Sequence, residues 1–383
     1  MGGSKNGSLK YVNIVIALFE MAALFYNTAS LKRLGYLIIL VGTGLMFFDY
    51  MINKSIIIST INLPEIIFLA LVYLISIIFV PTFRAVSNMF SLLISIAVLI
   101  YFSQIDLEKI NIKWQKYIVG IQLIILFTPM MLGRGFSSID SGYKSIFTTT
   151  TFVGLFSCIS IELCVLCFLS SKERIWEVYI IAWIYLVWCS KVRTALLGVL
   201  IVFLLIIIFK FINKKIRRSI LKLAKWILFA SLIIIIVIYP QFDRFPFYEE
   251  VSNYIYIHTG KIFFSGRNEI WIEALNIAKK SPLLGYGLDY SQQFDISVHN
   301  SYLNILLQTG ILGIFAFLLL INNILNTIIK KNQFLSTILF IFAIVNLLIS
   351  SAEVMLLQGQ LVLQLVIWCL FGIGINQKRH KVK

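Results

Sequence analysis

The sequence predicts an all-α, polytopic integral membrane protein with about twelve transmembrane helices and one large extracytoplasmic loop carrying a short amphipathic helix. Three observations carry that expectation. Of 383 residues, 60% are hydrophobic and only 13% charged; mean hydropathy is +0.92; and apolar runs recur from one end of the chain to the other. One water-soluble core could not bury that much apolar surface. The net charge of +16 would suggest a nucleic-acid partner in a soluble protein. In a membrane protein, basic cytoplasmic loops account for it, and no nucleic-acid partner is expected.

After MGGSKNGSLK, Tyr11 to Thr28 reads as a first span, because no small-residue cleavage site follows it. Further apolar runs of spanning length lie at 35–52, 61–80, 85–103, 115–132, 146–170, 174–190, 194–213, 226–240, 301–329, 334–350 and 355–376. The chain thus divides into nine spans over 1–239, a loop over 240–300, and three spans with a basic tail over 301–383. The cysteines, Cys158, Cys164, Cys167, Cys189 and Cys369, all fall within apolar runs and read as small buried hydrophobes.

With both termini cytoplasmic, the inner segments hold 21 of the 33 Lys and Arg residues, including the cluster from Lys210 to Lys225 and the tail QKRHKVK. Lys32-Arg33 runs against this count, so the first hairpin is the weak point and the total is eleven or twelve spans. This orientation places 240–300 outside, together with the loop that contains Arg134 and Asp140. Arg193 then lies at the outer end of the eighth span.

The outer loop is the main polar island. Ser265-Gly266-Arg267 opens a helix with Ile270, Trp271, Ala274, Leu275 and Ala278 on one face, and Lys279-Lys280-Ser281-Pro282 ends it. A turn follows at Leu284-Gly285-Tyr286-Gly287, and Val298-His299-Asn300-Ser301-Tyr302-Leu303 leads into the next span. Arg193 suits either headgroup snorkelling or anion binding. Arg267, at a helix start where a cation is unfavourable, calls for an anion or for a carboxylate such as Glu269. Histidine's near-neutral pKa makes His299 a candidate general base for an alcohol, with Asn300 or Asp295 to orient it or to hold a sugar. Tyr286, Tyr290 and Tyr302 suit sugar stacking or an interfacial aromatic belt. No metal-ligand pattern of the H-x-x-H, H-E-x-x-H or D-x-D kind occurs, so no metal and no cofactor is expected.

The ordered set Ser265-Gly266-Arg267, Trp271, Ala274-Leu275, Pro282-Leu283, Gly285, Gly287, His299-Asn300, Leu303, Gly310-Ile311 and Gly313 resembles the signature of the O-antigen ligase and O-antigen polymerase family of bacterial envelope proteins. The resemblance covers about fifty residues. It implies a multi-pass protein of the bacterial cytoplasmic membrane that acts as a metal-independent glycosyltransferase. The donor would be an undecaprenyl-diphosphate-linked oligosaccharide and the acceptor a glycan, in contact with membrane lipid and with a chain-length regulator as a candidate further partner. By motif position the family's phosphate-binding arginines fall on Arg267 and Arg193, and its essential histidine on His299. The family often has a serine just before the second arginine, where this chain has Val192. Arg134 lies in an outer loop that carries polar residues in family members, without a motif to assign its role.

On this reading, two arginines would stabilise charge on the departing diphosphate while His299 takes the acceptor's proton. Polymerase and ligase differ in the acceptor alone; the abundance of Ile, Lys and Asn favours capsule or exopolysaccharide polymerisation. A lipid-linked glycan transporter is the non-enzyme alternative, kept open by the intramembrane acids Glu20, Asp49 and Glu162.

Overall fold

The computed structural model describes residues 11–28, 30–53, 63–105, 110, 112–138, 142–259 and 266–376. Lys54, Lys109, Asp140, Ser265 and the tail QKRHKVK lie outside the described residues. Each apolar run forms a helix: α1 Val12–Tyr26, α2 Lys32–Asn53, α3 Leu63–Phe79, α4 Phe83–Phe102, α5 Ile112–Met131, α6 Thr150–Ser171, α7 Ile175–Ser190, α8 Arg193–Phe211 and α9 Lys214–Val237, then, after the loop, α12 Ser301–Lys331, α13 Phe334–Ile349 and α14 Leu361–Ile375. The loop contributes α10 Tyr248–Thr259 and α11 Arg267–Ala278. Outside helices, the described residues form one isolated β-bridge, Phe136 with Tyr143. The protein is an all-α polytopic membrane protein.

Among the described residues, six helices, α2, α4, α6, α8, α9 and α12, are long and apolar enough to cross a membrane, and α1, α3, α7, α13 and α14 are shorter apolar helices. The shorter α13 and α14 are buried nearly all round, as helices without a polar face must be. Helices α2, α8 and α9 instead turn Leu40, Leu200 and Ile233 outward, which is tolerable only where lipid replaces water.

Loops that alternate along the chain meet on shared faces. On one face Thr148 N–H donates to Asn27 O (3.1 Å) and Tyr143 N–H to Cys189 O (2.8 Å), while Thr82 Oγ1 donates to Asp289 Oδ2 at 2.8 Å. On the other, Lys331 Nζ donates to Gly374 O at 2.7 Å, and Lys116 pairs with Glu173. The bundle therefore runs up and down, with the first hairpin, α1 and α2, formed like the others. The basic start of α9 lies on the face opposite the long loop, as the charge count requires. That helix begins at Lys214 rather than at 226, because Lys and Arg are good helix formers and extend it through the basic stretch.

One span departs from expectation. Helix α12 is broken at Gly310 (φ 65°, ψ −163°), in a backbone region almost restricted to glycine. The carbonyls that the break releases are taken up by the Pro282–Gly287 turn. Tyr286 N–H donates to Leu307 O (2.7 Å), Gly287 N–H to Gln308 O (3.0 Å) and, in return, Ile311 N–H to Pro282 O (2.8 Å). Ser76 Oγ adds a second donor to Gln308 O at 3.0 Å. Non-helical backbone at this depth is stable because protein, not lipid, surrounds it.

The glycines follow from this docking. A Cβ on Gly310 would lie 2.2 Å from Leu283 O, and one on Gly285 would lie 2.6 Å from Leu307 O. Gly310→Ala should therefore cost more than about 3 kcal/mol, strain and clash together. Gly44→Ala, where nothing lies within 4 Å, should be nearly neutral. Detergent-solubilised monodisperse yield and thermal unfolding of the two variants measure the difference, and equal behaviour would contradict the docked turn.

Candidate functional site at the loop face

The turn wedged into α12 fixes where the span starts, and hence where His299 sits. Asn300 caps α12, its Oδ1 accepting from Tyr302 N–H (2.9 Å) and Leu303 N–H (3.1 Å). Trp271 of α11 reaches across and donates from Nε1 to Val298 O at 2.6 Å, while its ring packs on Tyr239 at 5.4 Å between centroids. Trp271, Ala274, Ile277, Ala278, Tyr290, Val298, Leu303 and Leu307 thus form a small separate core under the loop. It is built from the apolar face that the sequence assigns to α11. Between these two anchors His299 is held at φ 43°, a left-handed conformation costing about 1–2 kcal/mol for a non-glycine residue. Its side chain stays 55% exposed, free to meet a substrate.

The residue that gathers the site is Glu353, in the segment between α13 and α14. Ser301 ties that segment to the start of α12: its N–H donates to Ser350 O (2.9 Å), and its Oγ donates to Glu353 O and accepts from Met355 N–H, both at 3.0 Å. The Glu353 carboxylate, 7% exposed, accepts from Arg267 Nη2 at 2.7 Å and lies 3.9 Å from His299 Nδ1. The first contact is a charge-assisted hydrogen bond; the second is an ion-pair distance that a bound substrate can tighten. Burial raises the Glu353 pKa, against the pull of Arg267 and then His299.

Beside this cluster lies a cavity of about 460 Å³ whose lining includes Lys191, Arg193, Thr194, Tyr239, Arg267, Trp271 and Glu353. The two arginines that lie 74 residues apart in sequence thus share one space, close enough for their charges to interact. Leu197, Gly198, Ile201, Ile235, Val345, Leu348 and Ile349 form an apolar wall from α8, α9 and α13, and Thr150, Thr151, Val192, Ser351 and Ala352 complete the lining. The space is therefore amphipathic, cationic toward the loop and apolar toward the bilayer. Burial raises the Tyr239 hydroxyl, opposed by Arg267 and Arg193.

Several expectations change at this point. The carboxylate facing Arg267 is Glu353; Glu269 is exposed and borders a separate groove. Neither Asn300 nor Asp295 orients His299: the Asn300 oxygen is taken by the cap, Asp295 is exposed, and the acid beside the ring is Glu353. Tyr302 is 1% exposed and donates to Leu347 O at 2.8 Å, so its ring offers no face to a sugar. Tyr290 is likewise buried, donating to Asn304 Oδ1. Half-buried Tyr286 donates to Ile277 O and packs edge-on against Phe294. Arg134 sits on an exposed turn after α5, on the same face but outside the cavity lining. Glu353 went unrecognised in the sequence although a signal existed: it is the only acid after Asp295.

The intramembrane acids are engaged elsewhere and none lines this cavity. Asp49 accepts from Tyr101 Oη at 2.7 Å, Glu162 from Asn346 Nδ2 at 2.7 Å, and Gln115, with its amide turned to the orientation that satisfies both groups, brings its nitrogen 3.0 Å from both oxygens of Glu20. Cys158, Cys164 and Cys369 are buried, Cys167 and Cys189 half-buried, all as free thiols. Among the described residues, no three His, Cys, Asp or Glu side chains gather as a metal site.

These features define a multi-pass helical membrane protein with an amphipathic, arginine-lined cavity and a histidine–carboxylate pair at its rim. Residues 177–318 match the family model described as O-antigen ligase, and the loop motif that resembles the O-antigen ligase and polymerase family lies within that match. The matched stretch contains Lys191, Arg193, Arg267, His299 and Gly310 and ends before Glu353. No curated protein matches the chain.

Proposed function

We propose that the protein is a metal-independent polysaccharide polymerase. It transfers undecaprenyl-diphosphate-linked repeat units onto a growing capsule, O-antigen or exopolysaccharide chain at the outer face of the cytoplasmic membrane. The observation that carries this reading is the shared cavity of Arg193 and Arg267, cationic at the loop and apolar toward lipid, with Glu353 and His299 at its edge. A diphosphate fits the arginines, its polyprenyl tail the apolar wall, and its sugars the water side. The acceptor hydroxyl attacks the anomeric carbon and His299 takes its proton, while the electron pair of the breaking sugar–oxygen bond passes to the diphosphate, whose charge the arginines stabilise. Glu353 holds both Arg267 and His299 in register. A ligase differs in its acceptor alone, and the description of the matched family model keeps that second reading in place.

Purified protein given lipid-linked repeat units in EDTA should form polymer. Loss of activity on chelation would overturn the metal-free mechanism, and transfer to a lipopolysaccharide core without polymer would make the protein a ligase. The orientation proposed, with both termini cytoplasmic, rests on the basic face opposite the loop. A cysteine at exposed Gln292 should react with an impermeant thiol reagent in intact cells; labelling only after lysis would reverse it.

A further inference from the structure

Helix α11 is a partition with a different chemistry on each side. Arg267, Trp271, Ala274 and Ala278 lie along the face turned to the arginine-lined cavity and to the small core under the loop. About half a turn round the helix, the spacing of Glu269, Ile272, Glu273, Asn276 and Lys280 puts them on one outward stripe. That stripe, with Ile277 and Phe294, lines an open groove of about 540 Å³ that shares no residue with the lining of the cavity.

The groove has the parts that hold a sugar chain. Glu269 and Glu273 are exposed carboxylates one helical turn apart, acceptors for hydroxyl or ammonium donors. Asn276 Oδ1 accepts from Lys279 Nζ at 3.3 Å, which leaves Nδ2 to donate. Half-buried Phe294, held edge-on by Tyr286 at 4.8 Å between centroids, supplies an apolar ring for the C–H face of a sugar. Two carboxylates stand here against the single ammonium of Lys280. The segment around the groove has the same bias in a chain of net charge +16: residues 240–300 hold seven of its 17 acids and five of its 33 Lys and Arg residues. Such a surface attracts cationic chains and repels anionic ones. Phe294 is also five residues from His299, at most about 17 Å along an extended backbone, so a glycan whose end lies at His299 reaches the groove within a few sugar rings.

We propose that this groove is an acceptor-glycan subsite, and that it selects chains of amine-bearing sugars over uronate chains. Glu269 and Glu273 accept from hydroxyl and ammonium groups of successive sugars, Asn276 donates to a sugar oxygen, and Phe294 stacks on one ring. Helix α11 thus keeps cations on the side of the anionic donor and carboxylates on the side of the acceptor. The inference rests on the reading of the protein as a glycan polymerase and adds where the acceptor lies and which sugars it favours. These groups bind and make or break no bond.

Calorimetric titration of the full-length protein, in a sugar-free detergent at mildly acidic pH, with hexasaccharides of glucosamine, N-acetylglucosamine and galacturonic acid tests the subsite without a donor. The parent should bind the glucosamine chain about tenfold more tightly than the galacturonate chain, with the N-acetylated chain between them. The difference should shrink as salt is added. Glu273→Gln should narrow it about threefold, and Glu269→Gln together with Glu273→Gln should abolish it. Both acids are exposed, so these variants should unfold at the parental temperature. Phe294→Leu should weaken all three chains alike and Phe294→Tyr should restore them; if the leucine variant does not fold, the glutamine variants carry the test. Equal parental affinity for the three chains, or an unchanged preference in the double variant, would overturn the subsite. Polymer formed from lipid-linked repeat units by a parent with no such preference would leave the polymerase reading standing. The expected preference with no polymer formed would overturn that reading and the acceptor role with it.

Discussion

Replacing His299 with Ala should lower polymer turnover by about 100- to 10,000-fold while leaving affinity for the diphosphate donor close to parental. The separation follows from geometry. His299 stands outside the lining that holds the arginines and touches the site through Glu353 at 3.9 Å, so its removal takes the proton acceptor and leaves the anion cavity in place. Steady-state kcat and KM report this, as a fall in kcat at nearly constant KM. Near-parental turnover would end the general-base role.

The same cluster sets a pH signature. Burial raises Glu353 above the ordinary carboxylate value of 4.5, so as pH falls it takes up a proton early, and Arg267 and His299 lose their counter-charge. The acid limb of the turnover profile should therefore lie above the ordinary carboxylate range. Glu353→Gln, which mimics the protonated form, should lower the plateau and shift that limb. Stability runs the other way: a raised carboxyl contributes stability below its unfolded pKa and loses it as pH rises through the folded value. The neutral amide should thus cost no stability at neutral pH, and its loss of activity would be functional. A limb that persists unchanged in Glu353→Gln would place it on another group.

Arg267→Lys should reduce transfer by about 100- to 1,000-fold although it keeps the charge. Arg267 already gives Nη2 to Glu353 at 2.7 Å; only a planar fork can keep that bond and still present parallel N–H groups to phosphate. A lysine ammonium must divide itself between the two, and it reaches either without the fixed geometry. Lysine is a cleaner probe than alanine. Alanine would strand the buried Glu353 without its cation, a loss of about 3–5 kcal/mol that mixes folding with chemistry. Parental transfer by Arg267→Lys at unchanged unfolding temperature would show that charge alone suffices.

What was legible in the sequence follows from short-range physics. Every apolar run became a helix because lipid leaves the backbone few other ways to satisfy its hydrogen bonds. The loop helix began at Arg267 and ended before Pro282 because its apolar period and end signals are local. The order of Arg193, Arg267 and His299 was readable from the motif alone. Glu353 was not, because its partners lie 86 and 54 residues away in sequence and no periodicity encodes such a meeting. Nor was the break in α12. Gly310 looks like any glycine in a span, and only the Pro282–Gly287 turn, docking there by hydrogen bonds and close approach, makes the broken form stable. Sequence leaves the tyrosines open between sugar stacking and an interfacial belt, because aromatic character shows in sequence and burial does not; packing against α12 and α13 decided that Tyr302 belongs to the core. Local composition thus determined which segments are helical and which groups can do chemistry. Contacts distant in sequence decided which of those groups meet, since a carboxylate selects its cation by proximity in space.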